Sequence, residues 1–279
     1  AWDPAVNPEK AKERWDRDLG LMVEDGWISQ AEANAAVFPE TIDPDSLPDG
    51  EEEPDLLPLG LFQDTMEPLA VDPVTLDPHL LVLGDAGCGK TTVLRGVIET
   101  LIERHTPEEL VIAVYDVRRG AVGACPEDYL GGHATSPATG VGLSNAIASE
   151  LSKRAEALAA GQDIVGPRIV LVVDDYDILS SGGTAILGPI IPYLPSGRDM
   201  RLGIVLSRPV AGSSRAMYDP AIQALRDTGG TCLLMDGDRS EGTVFGMRPE
   251  HLRPGRGWFI RRGRRPRLCQ VAAFTALGS

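Results

Sequence analysis

The chain has 279 residues, of which 43% are hydrophobic and only 5% aromatic, so it can bury one large core or two smaller ones, packed mainly by aliphatic side chains. Its formal net charge of −15 argues against a general nucleic-acid binder unless the bases cluster. Four cysteines, at 88, 125, 232 and 269, make no CxxC pair and no zinc spacing and read as reduced thiols of a cytosolic protein, while no apolar run reaches the about eighteen residues a membrane span needs and no signal peptide opens the chain.

In chain order, residues 1–56 come first and carry the acidity: sixteen acids against four bases give −12 and leave −3 for residues 57–279. Within them NPEKAKERWDRDLGLMVEDGW places Ala11, Trp15, Leu19 and Met22 at helical spacing, and Ser29 with Glu32 has the spacing of a capping box for a second short helix. A helical hairpin is therefore expected over residues 1–42. Residues 43–56 are rich in proline and acid and have little to bury, the composition of a linker.

From Leu57 onward short β runs alternate with helical ones. HLLVLG, ELVIAVYD, RIVLVVDD, RLGIVLS and TCLLMD read as apolar strands, and GWFIRRG with RPRLCQVAA reads as a closing antiparallel hairpin. Apolar strands alternating with amphipathic helices predict an α/β fold, a mainly parallel sheet sandwiched by helices, over 57–279. Seven arginines crowd into Arg253–Arg267; the expectation is a solvated hairpin at a sheet edge, with contact to an acidic partner or phosphates as the alternative. The four histidines share no metal spacing and read as surface or packed residues.

One stretch carries chemistry. Gly84, Asp85, Ala86, Gly87, Cys88, Gly89, Lys90 and Thr91 fit G-x-x-x-x-G-K-[ST] at every fixed position, followed by Thr92 at the start of a helical run. Glycines allow a tight turn whose N–H groups point inward at phosphate oxygens, and the following helix adds its positive end. Lys90 is expected to reach the terminal phosphates and Thr91 to hold Mg²⁺. The second piece is IVLVVDD, where a buried strand delivers Asp174 as the Mg²⁺ partner. Asp175 follows it, one methylene shorter than a glutamate, and is the candidate for positioning an attacking water. Ser207, at the end of GIVLS, is a candidate γ-phosphate sensor. Arg208 is a candidate phosphate sensor, interface residue or surface base, and Arg215, Arg226 and Arg239 are candidate arginine fingers.

These segments, in order from DPHLLVLGDAGCGKTT through YDVRRG, IVLVVDDYDIL, VLSRPVAG and DGDRSEG to RPGRGWFIRRG, resemble the FtsK/SpoIIIE class of additional-strand P-loop ATPases, and more narrowly the C-terminal ATPase module of the EccC motors of type VII (ESX) secretion. The resemblance covers about Leu57 to Phe274. It implies ATP and Mg²⁺ as cofactors, slow hydrolysis, and a place at the inner face of the cell membrane within a secretion complex. It implies as partners small WXG-type helical substrates, recognised through C-terminal export signals, and the other ATPase modules of the same motor, with a hexameric ring as one assembly and no direct nucleic-acid contact. A DNA-translocating ATPase of the same fold and a non-catalytic, nucleotide-stabilised substrate platform are the alternatives. Residues 1–42 resemble instead a segment of bifunctional penicillin-binding proteins, without that class's catalytic glutamate motif.

Overall fold

The computed structural model describes residues 8–48, 56–73, 76–212 and 218–274. Residues 49–55 of the expected linker and the candidate finger Arg215 lie outside the described residues.

Ten strands form one sheet. They are β1 (Leu57–Phe62), β2 (Pro68–Val71), β3 (His79–Leu83), β4 (Leu110–Tyr115), β5 (Leu130–Ala134), β6 (Arg168–Val173), β7 (Leu202–Arg208), β8 (Thr231–Leu234), β9 (Arg256–Ile260) and β10 (Arg267–Val271), in the order β2-β1-β10-β9-β8-β3-β7-β6-β4-β5. From β8 to β5 all neighbours run parallel. From β8 to β2 all run antiparallel. The sheet therefore has a parallel block with an antiparallel wing built on its β8 side.

The parallel strands are apolar on both faces because both faces are covered. Along β3, Leu80 and Val82 join one core and Leu81 and Leu83 the other. β6 divides in the same way, Val170 and Val172 against Leu171 and Val173, as expected of a period of two. Helix α3 (Lys90–Arg104) packs on the first face through Val93, Leu94, Val97, Ile98 and Leu101. Helix α4 (Pro137–Ala159) covers the second through Ile147 and Leu151, together with α5 (Tyr176–Leu179) and α6 (Pro220–Asp227).

The arginine-rich hairpin is not a sheet edge, contrary to expectation: β9 and β10 lie inside the sheet, between β8 and β1. Four of its seven arginines have structural partners. Arg253 pairs with Glu40, Arg256 lies 5.0 Å from the Phe38 ring centroid, Arg261 pairs with Asp77, and Arg267 pairs with Asp64 while lying 3.8 Å over Phe62. The edges belong to β2, four residues opening with Pro68, and to β5, which contains Gly131 and Gly132. The β1–β10 contact is close: a Cβ at Gly60 would stand 2.0 Å from the Gln270 carbonyl oxygen, so only glycine fits there.

Within the leader, α1 (Pro8–Glu24) is followed by α2 (Gln30–Val37), and residues 1–7 of the expected hairpin lie outside the described residues. Ser29 and Glu32 make the reciprocal capping box. Leu19 is buried, but Trp15, on the same helical stripe, is 53% exposed. The chain after α2 is tied to the sheet: Ile42 is buried in the α3-side core, its carbonyl accepts from Ala273 N–H at 2.9 Å, and Asn34 donates to the Asp64 carbonyl at 2.8 Å. All four cysteines are buried and free. His79 is packed in the interior, where burial pushes its pKa down to about 4, so it is neutral.

At the end of the sheet where β3 begins, the buried Asp77 carboxylate accepts from Arg261 Nε at 2.8 Å, from Asp72 N–H at 3.1 Å, and from Thr231 Oγ1. It locks the antiparallel wing to the parallel block. Removing the carboxylate leaves a cation and a hydroxyl without their acceptor. Asp77→Ala is expected to cost about 3 kcal/mol, toward the lower end for a broken buried pair because Arg261 is partly exposed. Urea denaturation checks this as a lowered midpoint with an unchanged slope.

Candidate nucleotide site

The C-terminal ends of β3, β4, β6 and β7 finish at one margin of the sheet, since Leu83 is in register with Arg208, Val173 with Leu206 and with Tyr115. Ligands of open α/β sheets bind at such margins. The loops that follow these four strands enclose a cavity of about 420 Å³, lined among others by Asp85, Lys90, Thr91, Arg118, Asp175 and Asp177. That volume falls within the roughly 300–1,000 Å³ of small-molecule sites. A larger cleft, about 780 Å³, opens at the opposite end of the sheet by Arg226, Arg262 and Arg264, away from every motif residue. Chemistry rather than volume selects the first.

The loop after β3 is held open from both sides. Gly84 N–H donates to the Arg208 carbonyl at 3.2 Å, Asp85 N–H to Asp236 at 2.8 Å, and Gly255 N–H to the Cys88 carbonyl at 2.8 Å. Gly87 (φ +80°) and Gly89 (φ +107°) take the left-handed conformations that turn the chain into α3. Gly89 caps α3 without a side chain, so the first-turn N–H groups are left for a ligand. Lys90 is buried, and its Nζ donates to the Asp85 carbonyl at 3.2 Å with no carboxylate partner among the described residues. A positive charge held beside a cradle of amide hydrogens, without its own counter-ion, fits a polyanionic phosphate chain.

Opposite Lys90, Thr91 Oγ1 donates to Asp174 Oδ2 at 2.8 Å and Ser207 Oγ donates to Asp174 Oδ1 at 2.5 Å. Ser207 also accepts from Asp175 N–H at 2.9 Å. Its one hydroxyl proton and one of its two acceptor lone pairs are thus committed to fixing the two aspartates. Burial raises the Asp174 pKa against the lowering effect of Ser207 and Thr91, with Asp175 and Asp116 adding to the rise. A hydroxyl and a half-satisfied carboxylate at this spacing are a fitting donor set for Mg²⁺.

Asp175 sits in the left-handed region at φ +48°, costly for a non-glycine residue, and its carboxylate pairs with Arg118 Nη1 at 3.2 Å. Arg118 comes from the loop after β4, which Asp116 organises by accepting from the N–H groups of Arg118, Ala121 and Val122. In the same loop Gly120 lies against Thr91 and Asp174: a Cβ there would meet Thr91 Cγ2 at 2.9 Å and Asp174 Oδ2 at 3.7 Å. Arg208 is not a surface base. It is buried, and its Nη2 donates to Asp177 Oδ2 at 3.1 Å. Arg226 pairs with Asp227 beside the far cleft, and Arg239 is exposed on a short turn.

Every residue of the motif from Gly84 to Thr92, with Asp174, Asp175 and Ser207, is thus gathered at one margin. Arg118, Asp116 and Asp177 were not singled out as site residues from sequence. The available signal was position: YDVRRG follows an apolar strand, where the loop at the ligand-binding margin has to fall.

The family model of the FtsK/SpoIIIE family matches residues 49–164. The chain is 30% identical over 258 residues to the ESX secretion system protein EccC of Thermomonospora curvata, covering 90% of this chain and 20% of that protein. It is 35% identical over 222 residues to the ESX-4 secretion system protein EccC4 of Mycobacterium tuberculosis, covering 77% of this chain and 18% of that one. The chain carries an FtsK/SpoIIIE domain. Among solved structures, this chain is similar to the cytoplasmic domain of the T. curvata type VII secretion ATPase EccC, at a TM-score of 0.79 and 31% identity, covering 84% of this chain and 28% of that one. It is equally similar to ATPases 2 and 3 of T. curvata EccC solved in complex with a signal sequence peptide, at a TM-score of 0.79 and 31% identity, covering 85% of this chain and 44% of that one. Its fold is therefore that of a P-loop NTPase of the EccC kind. It spans about a fifth of the length of the curated relatives it matches. A match over 90% of the chain reaches into the helical leader, so part of the leader is shared with the T. curvata protein.

Asp174→Asn tests the buried carboxylate. A carboxyl whose pKa is raised by folding contributes stability below the ordinary carboxylate range and loses it as pH rises through the raised value. The ligand-free variant is expected to melt higher than the parent at pH 7. Its advantage should vanish at low pH and grow as pH rises through the raised value, measured by thermal denaturation across a pH series.

Proposed function

We propose that this chain is an ATP-binding motor module of a type VII protein secretion system, which binds ATP with Mg²⁺ and hydrolyses it slowly. The observation that carries the reading is that Lys90, Thr91 and Asp175 line one cavity at the C-terminal margin of the parallel strands, with Asp174 bonded to Thr91 behind its wall. Lys90 and the N–H groups of Gly87 to Thr92 would bind the phosphate chain, and Thr91 with Asp174 would hold the metal. The metal, when bound, supplies positive charge where negative charge builds on the transferring phosphoryl group. Ser207 keeps Asp174 turned toward Thr91, and Asp175 orients a water. Asp175 is one methylene shorter than glutamate and is drawn toward Arg118, so its placement of water is imperfect, which supports slow turnover.

The EccC structure with a signal sequence peptide supports a docking role for this module too. By that analogy its cargo is the C-terminal export signal of small WXG-type helical substrates, and its neighbours are the other ATPase modules of the same motor, with a ring of six copies as one assembly. The reading places it in the cytoplasm at the inner face of the membrane; no helix among the described residues is long and apolar enough to cross one. The pairing of Asp175 with Arg118 also favours a second reading, a platform on which nucleotide is structural and docking is the useful act.

ATP·Mg²⁺ at a hundred times its Kd is expected to stabilise the protein by about 2.7 kcal/mol, and Lys90→Ala to abolish the shift in a thermal melt. Arg118→Ala frees Asp175 and is expected to raise phosphate release several-fold if the module turns over. Release that stays at the Lys90→Ala level in both the parent and Arg118→Ala supports the platform.

A further inference from the structure

The phosphate-side cavity has a neighbour. A second cavity of about 240 Å³ lies across the loop from it and shares Gly89 and Thr92 with it. Its floor is Pro254–Gly255 and the end of β10, and its outer wall is Glu40 and Thr41, which belong to the helical leader.

The orientation of a bound nucleotide follows from the two sides of the loop. Asp174 and Asp175 stand on the first side with Thr91, so the terminal phosphate must face that way. The rest of the molecule leaves the cradle in the opposite sense, past Thr92 and toward β9 and β10, which is where the second cavity opens. That cavity is built on fixed backbone: Gly255 N–H is bonded to Cys88, Val271 N–H to the Gly255 carbonyl at 2.8 Å, and Gln270 Nε2 to the Pro254 carbonyl at 3.2 Å. A Cβ at Gly255 would meet Gln270 Nε2 at 2.3 Å, so glycine keeps the floor flat.

The outer wall is fixed differently. Phe38 is buried beneath the Arg256 guanidinium and Ile42 is buried in the α3-side core, so both ends of the segment are anchored. Between them Glu40 and Thr41 are exposed, and Glu40 is held by Arg253 in an ion pair whose side chains are 74% and 71% exposed. Such a pair contributes little, so the span is held at its ends and is loose in the middle. A ligand in the cavity would touch the loose part.

We propose that residues 38–42 are a strap that closes over the nucleoside part of the bound nucleotide, so that nucleotide occupancy and docking of the leader are coupled. This rests on the nucleotide-site reading above. The strap makes the leader a sensor of the base and ribose, while the phosphate cradle alone responds to polyphosphate.

The test uses the full chain with two probes, ATP·Mg²⁺ and inorganic tripolyphosphate·Mg²⁺. ATP is expected to slow backbone hydrogen exchange of residues 38–42 by tenfold or more, and tripolyphosphate to leave it unchanged. Thr41→Trp, an exposed position whose larger side chain fills the cavity, is expected to weaken ATP at least tenfold and to leave tripolyphosphate affinity as in the parent. ATP that binds without slowing exchange of the strap, and binds Thr41→Trp as tightly as the parent, overturns the strap and leaves the nucleotide site standing. Failure of the parent to bind either probe overturns the site itself, and the strap with it.

Discussion

A buried carboxylate organises the functional margin of this molecule. Asp174 lies at the end of β6 where water is largely excluded, and an unpartnered charge there would be costly. Its partners are two hydroxyls, Thr91 from the first turn of α3 and Ser207 from the end of β7, and Ser207 in turn accepts from the backbone N–H of Asp175. Satisfying one carboxylate thus fixes the separation of three adjacent strands' ends and the angle at which α3 leaves the loop. The site is not laid onto a finished sheet; the same bonds that make the sheet margin compact also set the spacing between lysine, threonine and aspartates.

Much of this was legible in the sequence because the signals are local. The loop Gly84–Thr91 is defined by where glycines and a lysine must stand, and the strands at Leu80–Leu83 and Ile169–Val173 by uninterrupted apolar runs that only a doubly covered sheet tolerates. What escaped was set by partners distant in sequence. The arginines of Arg253–Arg267 read as an edge because charge is how edges are usually protected, but the sheet continues past them through β10 and β1. Four of the seven charges are met by Asp77, Asp64, Glu40 and an aromatic ring more than 180 residues upstream in each case, a pairing no local pattern announces. β5, with two adjacent glycines, carries no strand signal of its own and exists because β4 offers it a ladder. Arg118 and Asp177 acquire meaning only once four strand ends are brought to one margin.

The leader illustrates a different limit. Its helices were readable from spacing and from the Ser29–Glu32 box, yet Trp15, the largest residue of the predicted stripe, faces solvent while Leu19 is buried. Amphipathic spacing identifies a helix; it does not say how much of the stripe a neighbour covers. The segment after α2, with no periodicity at all, makes the closer contacts with the sheet, through Phe38 and Ile42. An acidic composition and a Pro-rich run mark it as a connection, and connections take their conformation from what they cross.

The two margins of the sheet carry a further consequence. One is β2, four residues long and opening on a proline that lacks a donor; the other is β5, with consecutive glycines that offer little side-chain surface to a partner strand. Neither is a good template for adding a strand from another molecule. Any association with another chain would therefore run through loops and helical surfaces, whose geometry can change when a ligand comes or goes, and not through a shared ladder that would weld two chains into a single rigid body.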